Sequence, residues 1–337
     1  MSRPMVRTLS LVDGFGFDNL RWIDREPADP GPGEVRVRIT ALALNYRDLQ
    51  VVEGVRRIPL PLVPLSDACG VVMALGAGVT GFSVGDRVMP AFIKGWHHGP
   101  LPLLDSLPTL GGPLDGVARE EAVFPQDELV AVPPHLSDAE AAALPCAGVS
   151  AWNALFVATA LKPGDHVLVQ GTGGVSLFAL QFAKLAGARV TLISSSDGKL
   201  ERARALGADL GINYRAEPDW GAAILARAGP VDCVVEVGGT QTLGQSLVCL
   251  RNGGHVSFVG FLSGTTPSFD LGELSRKGIG LRGIRVGNRD SFEAMGRAVA
   301  QHRLKPVIDG VRPFDEVPQA LRTFKQGGHF GKVCLTL

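Results

Sequence analysis

Hydrophobic and polar positions along this chain follow two different periodic patterns, one in its first third and another from about residue 133. In the first third, Val35-Arg36-Val37-Arg38-Ile39 alternates apolar and polar residues, which is typical of a half-buried strand. This strand follows a cluster of turn residues at 30–33, and residues 70–75 form a second apolar segment. Between residues 91 and 117 the pattern dissolves into Pro, Gly and scattered apolar positions, which predicts a long loop. We therefore expect β-structure with turns in this part of the chain.

From about residue 133 the sequence pattern predicts strands that alternate with helices. Ser137 and Glu140 have the spacing of a capping box, so a helix is predicted from there through Leu144. Later segments repeat about every 25–35 residues, which is typical of βαβ units. The predicted strands are 166–170, 189–193, 231–237 and 254–259, and the predicted helices are 175–186, 199–206 and 243–250. This alternation predicts a parallel, doubly wound sheet with right-handed crossovers.

The length of the chain favours two domains. A chain of 337 residues and 35.5 kDa exceeds the size at which a single hydrophobic core is usual. We predict a catalytic domain from residues 1–132 with 288–337, the tail of which holds a helix at 292–301 and short strands near Val307 and Val333. Residues 133–287 are the predicted cofactor domain. The expected fold class is α/β, with one β-rich domain and one doubly wound domain.

Composition and charge exclude several classes of protein. The 33 basic and 33 acidic residues cancel, which argues against nucleic-acid binding, since that usually requires a basic excess. The five cysteines contain no CxxC pair, so neither a disulfide framework nor a four-thiolate zinc site is indicated. The uncharged stretch 141–161 is interrupted by Pro145 and polar residues, so we predict a buried helix there and no membrane span. The start of the chain lacks an apolar signal core, and we expect a cytoplasmic protein.

One motif carries most of the chemical information. Residues 171–176 read Gly171-Thr172-Gly173-Gly174-Val175-Ser176, directly after a predicted strand and at the start of a predicted helix. The first glycine permits a tight turn, and the second lets backbone amides approach a pyrophosphate at the positive end of the helix. Ser176 replaces the usual third glycine and is small enough for close packing of helix on strand. The alternative is an ordinary βα turn. We predict a dinucleotide site.

The end of the next predicted strand indicates which nucleotide binds. NAD sites place an acidic residue there to bind the ribose hydroxyls. This chain has Ser194-Ser195-Ser196 instead, with Lys199 shortly after. Hydroxyl groups and a lysine at the start of a helix suit a 2′-phosphate. Ser196 or Asp197 can also simply cap the helix, and the two interpretations are compatible. We predict NADPH in preference to NADH.

Over nearly its whole length the chain resembles the medium-chain dehydrogenase/reductases, and among them the zinc-free, quinone-oxidoreductase-like branch. The motifs that carry the resemblance are Pro30-Gly31-Pro32-Gly33-Glu34-Val35, Leu44-Asn45-Tyr46-Arg47-Asp48, Gly85-Asp86-Arg87-Val88, Leu144-Pro145-Cys146-Ala147-Gly148, Gly207-Ala208-Asp209 and Gly331-Lys332-Val333. The resemblance implies a GroES-like catalytic domain and a Rossmann cofactor domain. It also implies a homodimer in which residues 279–284 form the strand that pairs across the interface.

The resemblance also bears on zinc. It places the zinc-ligand positions of the family's alcohol dehydrogenases on Asn45, Ser66 and Cys146, where only the last retains a thiol. Zinc takes four nitrogen, sulfur or oxygen ligands, so we expect no catalytic zinc. The segment that carries a structural zinc in those enzymes has no cysteine here. We interpret His97 and His98 in that segment as solvated side chains, and we predict no metal site.

Four consecutive residues, Asn45-Tyr46-Arg47-Asp48, occupy the former metal site and are the candidate catalytic residues. Asn45 can donate to a substrate carbonyl oxygen, and Tyr46 can donate or relay a proton or form a wall of the pocket. Arg47 can stabilise developing negative charge and Asp48 can orient its neighbours, unless these two simply pair with each other. By resemblance, the further cofactor contacts are Ser150, Lys199, Tyr214, Phe261 and Lys332.

Without zinc, the hydride acceptor should already be electron-poor. Hydride addition to a quinone or an α,β-unsaturated carbonyl leaves a delocalised anion, which needs only orientation, a hydrogen-bond donor and a proton. We therefore expect an NADPH-dependent oxidoreductase that acts on such a small molecule. Two alternatives stay open, a zinc-independent alcohol or aldehyde dehydrogenase and an NADPH-binding sensor or structural protein with little turnover.

Overall fold

The computed structural model describes residues 4–103 and 107–337, and within these ranges the chain divides into two compact units. Unit 1 comprises Met1–Val149 and Gly287–Leu337, and unit 2 comprises Ser150–Val286. The division thus follows Val149 and not residue 132, where the sequence predicted a boundary. Residues 104–106 of the predicted loop lie outside the described residues.

Unit 1 begins with antiparallel β-structure. Strand β3 alternates buried and less buried positions over its first half, as its sequence predicted, and it pairs antiparallel with β4 and β6. The elements of this part are β1 (Val6–Leu11), β2 (Leu20–Arg25), β3 (Glu34–Ala43), α1 (Tyr46–Val52), β4 (Asp67–Leu75), β5 (Arg87–Pro90), β6 (Glu121–Pro125), β7 (Leu129–Ala131) and α2 (Asp138–Ala142). Side chains of β3 and β4 that point inward build the core of this unit.

Helix α2 begins at the predicted capping box. Ser137 Oγ accepts a hydrogen bond from the Glu140 N–H, and the Glu140 carboxylate accepts one from the Ser137 N–H. The helix packs on β3 and β4, which explains why the division between units falls after it. The buried helix predicted within 141–161 is present but irregular. After α2 the chain runs through a π-helix over Leu144–Gly148, the short helix α3 (Val149–Trp152) and a second π-helix over Asn153–Val157. Pro145 lies in the first turn of the first π-helix, where no N–H is needed.

Unit 2 contains the predicted doubly wound sheet. Its strands are parallel, in the order β10-β9-β8-β11-β12-β13. Every residue of β8 is buried, as expected for a strand covered on both faces. The elements are β8 (His166–Gln170), α4 (Gly174–Leu185), β9 (Arg189–Ser194), α5 (Asp197–Ala205), β10 (Leu210–Asn213), α6 (Trp220–Ala228), β11 (Val231–Glu236), α7 (Leu243–Cys249), β12 (Leu250–Phe258), α8 (Leu271–Lys277) and β13 (Gly280–Gly283).

The last segment of the chain returns to unit 1. It forms α9 (Arg289–Gln301), β14 (Ile308–Pro313), α10 (Val317–Lys325) and β15 (Lys332–Thr336). Strand β15 pairs parallel with β14 and antiparallel with the end of β3, so Lys332 lies beside the residues that follow β3. The predicted fold class is confirmed. Within the described part of the chain, no helix is long and apolar enough to cross a membrane.

Candidate active site

Asn45 lies at the point where β3 turns into α1. It has extended backbone angles and caps the helix, and its backbone N–H donates to Asp48 Oδ2 at 2.8 Å. The Leu44 N–H donates to the Val333 carbonyl oxygen at 2.9 Å, which ties this turn to β15. Asn45 and Asp48 are both buried. The local sequence therefore builds a helix start that holds the Asn45 side chain in a fixed place.

A closed series of polar contacts surrounds Asn45. Lys332 Nζ donates to Asn45 Oδ1 and to the Leu44 carbonyl oxygen, both at 2.7 Å. Asn45 Nδ2 donates to Ser66 Oγ at 3.4 Å, and Ser66 Oγ donates to Asp67 Oδ1 at 2.8 Å. The series closes because Lys332 Nζ lies 3.7 Å from Asp67 Oδ2. We call the side chains of Asn45, Ser66, Asp67 and Lys332 the polar ring.

The donor atoms at this place do not fit a catalytic zinc ion. The side-chain oxygen of Asn45 already accepts from the Lys332 ammonium, which would repel a dication. Burial and the nearby Asp67 carboxylate raise the pKa of the Cys146 thiol, whereas zinc binds a thiolate. The Cys146 N–H also donates to Asp67 Oδ2, at 3.1 Å. The family's ligand positions thus provide one thiol, where a catalytic zinc has three protein ligands.

Tyr46 and Arg47 follow Asn45 but have different surroundings. The Tyr46 side chain is 50% exposed. The Arg47 guanidinium donates to the carbonyl oxygens of Leu110 and Gly112, at 2.8 and 2.9 Å, and lies 4.7 Å from the centre of the Phe92 ring. Arg47 therefore binds the loop across the site, and its hydrogen bonds go to that loop rather than to Asp48. The structure favours a positioning role for Arg47.

Asp48 is the titratable group of this site. Its Oδ1 atom is buried and has no hydrogen-bond partner among the described residues. Burial raises the pKa of Asp48 to about 7, although the Arg47 charge and the Asn45 N–H act in the opposite direction. A carboxyl group next to the polar ring thus changes its charge near neutral pH.

The predicted glycine motif forms the turn between β8 and α4. Gly171 has a φ of +73°, a left-handed conformation that favours glycine. Gly173 is the N-cap residue of α4, and no side chain among the described residues forms a capping hydrogen bond at this end of the helix. A Cβ at Gly173 would meet no atom of the described chain within 4 Å, so the space before the first turn is open. Thr172 is buried in the turn, and Gly174 and Val175 begin the helix. These features fit a dinucleotide pyrophosphate.

The predicted nucleotide-selecting residues lie at the end of β9 and the start of α5. Ser196 caps α5, since its Oγ accepts from the Lys199 N–H at 3.4 Å. Ser194 is buried, and its carbonyl oxygen accepts from the Tyr214 N–H at 3.1 Å. Ser195 and Lys199 are partly exposed beside it. Because parallel strands end at one edge of a sheet, the glycine turn and these residues share the carboxyl edge of unit 2.

Of the other predicted cofactor residues, Lys332 lies in unit 1, whereas Ser150 and Phe261 lie in unit 2. Lys332 is 3% exposed, and its ammonium group is engaged inside the polar ring of unit 1. Ser150 is buried at the start of unit 2. Phe261 follows β12 with an exposed side chain, and its ring stacks on Phe258 with 6.1 Å between centres. The predicted cofactor contact of Lys332 stays a prediction, and its observed contacts are with the candidate catalytic residues.

Sequence reasoning missed the buried carboxylate of Glu236 at the end of β11. Its oxygens accept hydrogen bonds from donors on both sides of the strand end, namely the backbone N–H groups of Gly238 and Gly239, Thr242 Oγ1, Gln170 Nε2 and Ser246 Oγ. A buried charge without a cation is stable only when hydrogen bonds satisfy it in this way. Glu236 therefore shapes the turn after β11 at the carboxyl edge. No motif marked it in the sequence.

Comparison with known proteins agrees with this fold. Residues 31–134 match the family described as the alcohol dehydrogenase GroES-like domain, and residues 174–301 match the zinc-binding dehydrogenase family. A zinc-type alcohol dehydrogenase-like protein of Schizosaccharomyces pombe is 43% identical over 333 residues, which cover 96% of each chain. An acryloyl-coenzyme A reductase of Metallosphaera sedula is 32% identical over 328 residues, covering 93% of this chain and 95% of that one.

Solved structures are similar over the full length. A putative alcohol dehydrogenase from Sinorhizobium meliloti 1021 has a TM-score of 0.93 at 42% identity and covers 100% of both chains. An NAD-dependent alcohol dehydrogenase has a TM-score of 0.91 at 33% identity, with 98% of this chain and 99% of that chain covered. A 2-octenoyl-CoA carboxylase reductase, in complex with NADP and 2-octenoyl-CoA, has a TM-score of 0.89 at 26% identity, with 100% and 88% covered.

Proposed function

This chain belongs to the medium-chain dehydrogenase/reductase superfamily and is an NAD(P)H-dependent oxidoreductase, and on that premise we propose the rest of its activity. It transfers hydride from NADPH to an α,β-unsaturated carbonyl compound or a quinone, and it does so without a catalytic zinc ion. The observation that carries this proposal is the polar ring, which includes two of the three zinc-ligand positions of the family's alcohol dehydrogenases, Asn45 and Ser66.

The polar ring favours a hydrogen-bonding site over a Lewis-acid site. Lys332 holds the side-chain oxygen of Asn45, so the amide nitrogen faces away from the ammonium. One N–H of that nitrogen is directed to Ser66, and the other can donate to a carbonyl oxygen of the acceptor. A fixed donor of this kind stabilises negative charge as it develops. It is weaker than a metal ion, which favours acceptors that delocalise the charge themselves.

The cofactor, when bound, supplies the hydride for the β-carbon of the acceptor. Asn45 then stabilises the negative charge that moves onto the carbonyl oxygen. The α-carbon takes up a proton to complete the reduction, and the exposed phenol of Tyr46 is the donor that we assign to this step. Arg47 holds the loop at residues 109–112 in place through its hydrogen bonds, and Asp48 holds the backbone of Asn45.

Two further observations support the acceptor and the cofactor. One relative is described as an acryloyl-coenzyme A reductase, and one similar structure is a reductase with NADP and an unsaturated acyl-CoA bound. In this chain, the strand end that selects the nucleotide carries hydroxyl groups and Lys199 where an acidic residue would bind NAD ribose. Both point towards NADPH and a conjugated acceptor.

We also propose that the protein is a homodimer. Strand β13 lies at the edge of the sheet in unit 2, as the resemblance implied, and Leu281 on it is exposed. An open apolar edge strand is usually paired or covered. Pairing with a second copy of the same strand would satisfy its free backbone groups.

A second candidate is a zinc-independent alcohol or aldehyde dehydrogenase. The description of the Schizosaccharomyces pombe relative and the similarity to an NAD-dependent alcohol dehydrogenase favour it. In that reaction Asn45 would have to stabilise a localised alkoxide with hydrogen bonds alone, which is the harder task.

The test follows NADPH oxidation by the purified protein. A conjugated enal and a quinone are compared with the matched saturated aldehyde, each with and without a chelator. We expect turnover only with the conjugated acceptors, unchanged by chelator, and a loss of about 100-fold in kcat/KM for Asn45→Ala. The exposed Asn252→Ala serves as the matched control. Chelator-sensitive turnover of the saturated aldehyde would overturn the proposal, and NADPH binding without any turnover would favour a sensor or structural protein.

A further inference from the structure

Three ligand-type side chains meet in unit 1, and none of them belongs to the polar ring. His97 lies in the long loop after β5, whereas Asp127 and Glu128 lie in the 3-10 turn between β6 and β7. His97 Nε2 is 3.5 Å from Asp127 Oδ2 and also 3.5 Å from Glu128 Oε1. The three ligand atoms all lie within 4.8 Å of one another. The fold therefore brings an imidazole and two carboxylates from distant parts of the sequence to one point.

The spacing of these atoms suits a metal ion better than direct hydrogen bonds. Ligands about 2.1 Å from a tetrahedral zinc ion lie about 3.4 Å apart. The two distances of 3.5 Å match that edge, whereas an N–H donor would approach an oxygen more closely. In addition, His97 Nε2 is inaccessible to solvent and has no hydrogen-bond partner among the described residues. Because this ring nitrogen lies within 3.5 Å of both carboxylates, a cation between the three atoms would be bound by all of them.

The backbone around the three side chains is anchored. Glu128 is 6% exposed, and its Oε1 accepts from the Gly95 N–H at 2.7 Å, which fixes that carboxylate. The His97 carbonyl oxygen accepts from the Asp290 N–H at 3.0 Å, which ties the loop to the start of α9. Asp127 has a side chain that is 56% exposed, so water can reach the remaining coordination position. Such supporting contacts orient metal ligands in known sites.

The charge balance points in the same direction. Asp127 and Glu128 provide two carboxylates, whose negative charges a divalent cation bound between them would neutralise. The donor set has one imidazole, two carboxylates and no thiol, and this combination suits a borderline divalent ion of the first transition row.

We propose that His97, Asp127 and Glu128 bind a Zn²⁺ ion that fastens the loop to the turn between β6 and β7. This proposal differs from the sequence-based interpretation of His97 as a solvated side chain without a metal. It is independent of the proposed reaction, because the three residues take no part in the polar ring. His98, next in sequence, is not part of the cluster and provides a matched control.

The experiment measures zinc uptake by the full-length protein after chelator treatment and dialysis. Equilibrium dialysis against Zn²⁺, followed by metal analysis, should show one equivalent of bound zinc for the native protein and for His98→Gln. We expect His97→Gln to lack this equivalent. Asp127→Asn, at an exposed position that tolerates substitution, should weaken binding by about 100-fold. The proposal is overturned if the native protein binds no more zinc than His97→Gln does.

A second measurement identifies the ligands. Replacement of zinc by Co²⁺ should give visible bands without the near-ultraviolet sulfur-to-cobalt band that thiolate ligation produces. We expect this spectrum to be unchanged in Cys146→Ser and absent in His97→Gln. A sulfur-to-cobalt band that disappears in Cys146→Ser would place the metal at Cys146 and contradict the site at His97.

Discussion

Replacement of Lys332 by methionine removes the positive charge of the polar ring and keeps a side chain of similar length. Lys332 Nζ lies 3.7 Å from the carboxylate of Asp67, which is 0% exposed. At an effective dielectric constant of about 20, that attraction amounts to about 4 kcal/mol. The two hydrogen bonds of 2.7 Å, to Asn45 and Leu44, contribute about 1.5–3 kcal/mol each, and the cost of desolvating the ammonium offsets much of the ion-pair attraction. The substitution therefore leaves the buried Asp67 carboxylate without its positively charged partner.

We therefore expect Lys332→Met to lower the free energy of unfolding by about 3–5 kcal/mol, the usual loss when one partner of a buried ion pair is removed. For a domain of this size, that corresponds to a fall in Tm of about 10 °C. Differential scanning calorimetry is the suitable assay, because it resolves two transitions where the two units unfold separately.

The double variant Lys332→Met with Asp67→Asn is the matched control for charge. Asparagine keeps the shape of Asp67 and removes its charge, although its single oxygen can accept from only one of the two present donors, Ser66 Oγ and the Cys146 N–H. We expect the double variant to recover at least about 1–2 kcal/mol relative to Lys332→Met. A loss below about 1 kcal/mol in Lys332→Met, or no recovery in the double variant, would refute the ion pair as the basis of the ring.

Three further predictions concern the cofactor edge and the pH dependence. Gly173→Ala should raise the KM for NADPH at least tenfold at unchanged Tm, because Gly173 has a negative φ and its Cβ would meet only open space. Lys199→Glu should raise the KM for NADPH by about tenfold or more and leave that for NADH nearly unchanged, with Arg202→Ala on the same helix as control. Asp48→Asn should remove a pH dependence of stability. The pKa of Asp48 is raised to about 7 in the folded protein, so the fold retains a proton that the unfolded chain releases above about pH 4. The free energy of unfolding of the native protein should thus fall by about 1.4 kcal/mol per pH unit between about pH 4 and 7 relative to Asp48→Asn, measured by urea unfolding.

The parts of the fold that depend on local sequence were predictable. The predicted strand at 166–170 coincides with β8, and the predicted capping box at Ser137 begins α2. The details were less predictable where composition does not encode a local preference. The uncharged stretch 141–161 contains the predicted buried helix, but as a succession of π-helix, α-helix and π-helix. The compact units divide after Val149 because α2 packs on the sheet of unit 1.

In the candidate site, too, contacts between residues close in sequence were predictable, and contacts between distant residues were not. Asn45 and Asp48 are three residues apart, and their contact is a helix cap that sequence spacing can reveal. The partner of Asn45 across the site is Lys332, 287 positions away, and their hydrogen bond results from the pairing of β15 with β3. His97 and Glu128 meet in the same indirect way. No spacing rule connects such residues, so only the folded chain identifies them.

The composition of the polar ring sets a limit on the chemistry available to this protein. Asp67 and Lys332 cancel in charge, and Asn45 and Ser66 are neutral, so the ring as a whole offers oriented dipoles and no net positive charge. A zinc ion at the same place would offer a full positive charge to an alkoxide. An acceptor reduced at this ring must therefore spread most of the new negative charge over its own atoms, as an enolate or a hydroquinone anion does. On this argument, the proposed lack of a catalytic zinc ion and the proposed preference for conjugated acceptors have one structural cause, the composition of the ring.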